Sequence, residues 1–137
     1  MGSKSNFLEK AVLDAVLGQT ALPSIATVYL ALYSASPNGA DASGTELTGN
    51  GYARVAVTND PAHWPNATGG SPASKSNGTV ITFPAATGDW LSAVSFAIYD
   101  SLTVGHELYY GALTEAKVVF NGDVADFPIG SIVITEL

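Results

Sequence analysis

The chain reads as a mainly β domain: an antiparallel β-sandwich of jelly-roll or immunoglobulin-like type, or else a barrel, with one N-terminal α-helix. Three observations predict this. Apolar and polar side chains alternate with period two through seven segments enriched in β-branched and aromatic residues. Asn-Gly, which accepts positive φ cheaply, recurs at 38–39, 50–51, 77–78 and 121–122, each time beside such a segment. Helical spacing of apolar residues is evident only near the start of the chain. Many short strands with little intervening helix favour two packed sheets or a closed one.

The elements follow in order. Residues 6–17 form the helix, with Asn6 as its cap and Glu9 placed three residues later as in a capping box. Leu8, Ala11, Val12, Ala15 and Val16 make one apolar face, and Gly18 is the stop. Phe7, Leu13 and Leu17 fall outside that stripe. Either the helix is buried on a wide front, or these three touch another subunit. Strands are expected over 26–33, 52–58, 78–83, 92–100, 107–113, 116–120 and 130–136. Asn121-Gly122 lies between two closely spaced strands and is the best hairpin turn. In "SAVSFAIYD", Val94, Phe96 and Ile98 point inward. Ala93, Ser95 and Ala97 point outward, where the helix or a subunit would cover them.

Residues 1–137 are expected to form one domain. Two long segments, about 34–51 and 59–78, are rich in Gly, Pro, Ser, Asn and Ala and read as loops suited to partner contacts. Trp64 sits in the second, within "DPAHWP", either as a plug on the core or as a rigid anchor for a partner. Trp90 is placed to pack against the end of the sandwich. Tyr109 and Tyr110 must split across the two faces of their strand, leaving one for a neighbour.

Composition narrows the function. Five basic against twelve acidic residues give a net charge of −7, and Lys4, Lys10, Arg54, Lys75 and Lys117 are scattered. A nucleic-acid groove needs clustered cations, so direct binding to DNA or RNA is not expected. Neither a secretory signal nor a stretch of membrane-spanning length is evident. Cysteine is absent, which removes thiolate chemistry and disulfides. Neither His63 nor His106 sits in a metal-ligand spacing, and no Gly-x-Ser-x-Gly elbow or phosphate-binding loop occurs. Asp41, Glu46, Asp60 and Asp123 lie in oxygen-rich loops without the spacing of a calcium loop. Neither catalytic nor metal residues are assigned, no cofactor is expected, and enzymatic activity is not expected. The triplets at 66–68 and 77–79 match glycosylation sequons, a pattern that chance produces often.

"FLEKAVLDAVLG", "ATVYLALYSASP", "GYARVAV", "ITFPAATGDW", "FAIYD" and "LYYGALT" succeed one another in an order that resembles a family of small tailed-bacteriophage virion proteins, of tail-fibre-like, minor tail or capsid decoration type. The resemblance spans Phe7 to the final strand. It implies a virion component without catalytic residues. A homo-oligomer whose partners are other virion proteins is expected, and charge and span length point away from direct nucleic-acid or membrane contact. The leading expectation is a capsid decoration (cement) protein on the outer head surface, bridging subunits of the major capsid protein. A tail- or tail-fibre-associated component is the alternative, as is a host-glycan-binding module using exposed aromatic residues. Phe7, Leu13, Leu17, Trp64 and Tyr109 are the candidate partner-binding residues.

Overall fold

The computed structural model describes residues 2–136. Its elements are β1 (Gly2–Lys4), α1 (Asn6–Val16), β2 (Thr27–Ala35), β3 (Thr45–Glu46), β4 (Val55–Thr58), β5 (Ala73–Ser76), β6 (Ile81–Thr82), β7 (Ala93–Tyr99), β8 (Glu107–Lys117), β9 (Asp126–Phe127) and β10 (Val133–Glu136). The expected mainly β architecture with one N-terminal helix is present, in two unequal layers. Eight strands form one large sheet in the order β3-β2-β7-β8-β1-β10-β5, with β4 also paired to β2. The second layer holds the two-stranded ladder β6-β9. The large sheet is mixed, because β1 runs parallel to β10 while its other pairings are antiparallel. Its two edges do not meet among the described residues, so the fold is not a closed barrel.

β7 is the centre of the sheet, paired to β2 on one side and β8 on the other. On one face Val28, Leu30 and Leu32 of β2, Phe96 and Ile98 of β7 and Leu108 of β8 join Ile81, Phe83, Trp90 and Phe127 in the main core. Phe83 meets Trp90 and Phe127 edge-on at centroid separations of 6.4 and 5.9 Å. This geometry suits the ring quadrupoles. The other face carries Ala31 and Ala97 under Tyr33 and Tyr99, with Tyr29 and Tyr110 alongside. The outward face of β7 is therefore roofed by tyrosines from its own and neighbouring strands, whereas α1 lies on β8 and β1. Ala93, expected outward, belongs to the main core, because the ladder shifts register between Ala93 and Ser95.

Local differences from the sequence reading have identifiable causes. Ser5, in extended conformation, caps α1 by accepting from the Leu8 amide at 3.2 Å, one residue before the expected Asn6. The frame moves because Ser5 is held by β8, its amide donating to Leu108 O at 2.8 Å. None of the residues of α1 is fully buried, so the helix is not packed on a wide front. The strand expected at 107–113 continues to Lys117 as β8, which takes in only the first two residues of the strand expected at 116–120; residues 118–120 lie outside any strand. The turn at 121–122 exists, with the Asp123 amide donating to Phe120 O, but joins no hairpin. Both sides of β8 are already occupied by β7 and β1, so the chain leaves the sheet there for β9.

Asn77, legible in the sequence only as a turn residue, explains two shortened strands. Its side chain is buried, and its amide donates to Thr79 O and Pro128 O at 2.8 and 2.9 Å. Its side-chain oxygen accepts from the Ile132 amide at 2.9 Å, so Thr79 O and the Ile132 amide bond to the Asn77 side chain rather than to a ladder partner. The 77–79 sequon is thus a packed structural joint. Gly44 has a similar fixing role in the 36–44 loop. A Cβ there would stand 2.6 Å from Ala35 O and 2.7 Å from Pro37 N, at a φ of +71°.

Two outcomes test these joints. Asn77→Ala removes the three hydrogen bonds of a buried side chain and should lower unfolding stability by about 2–4 kcal/mol in urea titrations. Gly44→Ala meets backbone atoms in a left-handed conformation and should cost about 1–3 kcal/mol by the same measurement. Unchanged midpoints would refute either assignment.

Candidate interaction surface

An open cavity of about 360 Å³ enters the main core between α1, the 59–67 loop, β5 and β10. Val28, Ile98 and Leu108 come from the central strands, while Leu8, Ile25, Trp64, Tyr109 and Ile134 complete an apolar lining. Polar groups also contribute to the lining: Asn59, Ser74, Lys75 and Glu136. Glu136 is ion-paired to Lys4 of β1. The size and the apolar lining with a few polar groups are those of a binding concavity.

Trp64 reaches this site because Asp60 winds the preceding turn. The Asp60 carboxylate accepts from the Ala62 and His63 amides at 3.1 and 2.9 Å, and Asp60 O accepts from the Trp64 amide at 2.9 Å. The indole is only 8% exposed and packs in the main core. It plugs its loop onto the core and offers no free anchor. Tyr109 is half-buried beside it, and Tyr110 lies on the opposite tyrosine face, the division that strand geometry requires. Phe7 is engaged within the chain, its ring stacked 4.0 Å from that of His106 at an interplanar angle of 2°. Leu13 and Leu17 are 60% and 80% exposed. The five residues named from sequence thus divide. Trp64 and Tyr109 line the cavity, Phe7 closes an internal clamp, and Leu13 and Leu17 face solvent.

A second exposed apolar surface went unnoticed in the sequence. Leu91, Val118, Phe120 and Val124 are exposed. The 89–91 and 118–121 segments run together, with the Trp90 amide donating to Val119 O and the Asn121 amide to the Asp89 carboxylate, both at 2.8 Å. That pairing brings Leu91 alongside Val118 and Phe120. Exposed apolar surfaces of this kind mark contacts with other proteins.

The first long loop is a clamp rather than a free arm. The Asp41 carboxylate accepts from the Glu107 amide at 2.9 Å and bonds the His106 ring at 2.7 Å. These bonds hold Asp41 below the usual carboxylate range. His63 has its own carboxylate, Asp60 at 2.6 Å. Both histidines are therefore paired, His106 with a residue 65 positions away that sequence spacing could not reveal. No group of three or more His, Asp and Glu side chains converges to hold a metal ion among the described residues. Arg54 closes the neighbouring turn. It grips Glu46 with two bonds, at 3.0 and 2.9 Å, donates to Ser101 O and Val104 O, and lies 3.7 Å from the Tyr99 ring centroid.

Beneath this clamp Glu107 is fully buried, and neither carboxylate oxygen has a hydrogen-bond partner. Burial, with the nearby Asp41 charge, pushes its pKa up from 4.5 to about 7. The folded chain holds this proton more tightly than the unfolded one. The stabilising contribution is complete below about pH 4.5 and is lost as pH rises through about 7.

These features describe a β-rich frame with an open apolar cavity and several exposed apolar side chains. The chain belongs to the family described as Podophage GP4 fiber I protein gp80, which matches residues 3–135. It is thus a structural protein of a tailed-phage virion, as the resemblance implied. No curated protein matches it.

Glu107→Gln keeps the shape and removes the ionisation. The variant should match the parent at pH 4 and exceed it at pH 8 by about 3 kcal/mol in denaturant unfolding. A stability difference that is constant across that range would refute the buried-acid assignment.

Proposed function

We propose that the protein is a fibre-associated component of the virion, which acts by joining other virion proteins through shape and apolar fit. The family match carries this reading, since it is to a fibre protein and covers nearly the whole chain. The geometry supports it. Exposed apolar residues lie at the end of α1 and at the 118–124 end, on a scaffold whose long loops are pinned by Asp41, Asp60 and Asn77. Pinned loops lose little conformational entropy on binding, so more of the contact energy appears as affinity. A net charge of −7 suits a surface turned away from packaged DNA.

The leading expectation from sequence, a decoration protein bridging head subunits, draws less support, because the family concerned is one of fibres. With Trp64 buried, the glycan-binding alternative loses the indole platform on which it partly relied. Copy number and position separate the readings. Gold-labelled antibody on purified particles should decorate the fibres, at a few to a few tens of copies per particle. Labelling spread over the head, at the order of hundreds of copies that shell symmetry demands, would overturn the proposal.

A further inference from the structure

The exposed end of α1 and the apolar cavity have complementary chemistry. Leu13 and Leu17 project from the last turns with Asp14 beside them, and no basic residue occurs in the final turn. That end of the helix also carries the negative pole of its dipole. The cavity lining is mainly apolar and includes two charged residues, Lys75 and Glu136, the latter neutralised by its ion pair with Lys4. Lys75 is exposed and has no ion-pair partner among the described residues, whereas Lys4 and Arg54 are paired.

We propose that the C-terminal turn of α1 from one copy seats in the apolar cavity of a second copy, with Leu13 and Leu17 entering and Asp14 meeting Lys75. The helix cannot fill its own cavity in this way. Leu8 already lines the mouth, and Leu13 and Leu17 lie about 140° and 180° around the helix from it. A helix end seated there therefore comes from another copy. Two acidic copies repel at long range, so local charge complementarity fixes the register while the leucines supply the affinity. The contact joins two different patches, so it closes as a symmetric pair or a ring, or it propagates along an axis. The inference concerns self-association and stands apart from the placement of the protein in the fibre.

Sedimentation velocity over a concentration series tests it. The parent chain should self-associate. Asp14→Lys and Lys75→Glu should each weaken association about tenfold. An equimolar mixture of these two variants should recover association, because the reversed helix end of one meets the reversed cavity edge of the other. Leu17→Asp should abolish association with the circular dichroism spectrum unchanged. A parent chain that stays monomeric throughout would overturn the proposal. So would association indifferent to both charge reversals, or single-variant losses that mixing does not recover. Fibre labelling of the particle is independent of all these results.

Discussion

Burial of β7 on both faces is the constraint on which the rest of the structure depends. Residues 95–99 of this strand are buried throughout, although alternate side chains point in opposite directions. A strand in that position needs two covers. The main core supplies one, through the aromatic cluster of Phe83, Trp90 and Phe127 and the small second layer. Tyrosines supply the other. Tyr33 and Tyr99, bonded hydroxyl to hydroxyl at 2.6 Å, lie over Ala31 and Ala97 with Tyr29 and Tyr110 alongside. Small residues in β7 leave room for that aromatic layer close to the backbone.

The clamp around Asp41, His106 and Arg54 follows from the same demand. Where the tyrosine layer ends, the sheet still carries the buried acid Glu107, and the 36–44 loop folds back to cover it. Phe7 reinforces the closure from the helix side. Segments that look like free contact loops are therefore used up in completing the fold. The apolar side chains left for other molecules lie where no second layer reaches. The accessible surface, 7368 Å², exceeds by about a tenth the roughly 6,700 Å² expected of a compact monomer of this mass.

Much of the fold was legible in the sequence because period-two patterning is a local consequence of strand geometry. β2, β7 and the first part of β8 lie where alternation and β-branched residues place them, and the split of Tyr109 from Tyr110 follows from the pleat. β1, β3, β5 and β9 fall outside the strands that the sequence predicts. Strands of two or three residues, as β1, β3 and β9 are, have too few residues to show a period, and β5 is "ASKS" within a loop-like composition. The candidate surface was legible in part. Leu13 and Leu17 stood out by falling off the helical stripe, but Leu91, Val118 and Phe120 look like ordinary strand residues until the pairing leaves their side chains uncovered.

The sequence by itself determined a charge-poor, mainly β chain with one amphipathic helix, since composition and periodicity are properties of neighbouring residues. Only the tertiary structure decided which apolar side chains are core and which are surface. Trp64 and Leu17 are both large and apolar, yet one is plugged into the core by the Asp60 turn and the other is left in solvent. The same holds for Glu107, whose pKa is raised first by burial and then by the charge of Asp41, 66 residues away in the chain. Burial depends on what the rest of the chain brings alongside, and that is set by long-range strand pairing rather than by local pattern.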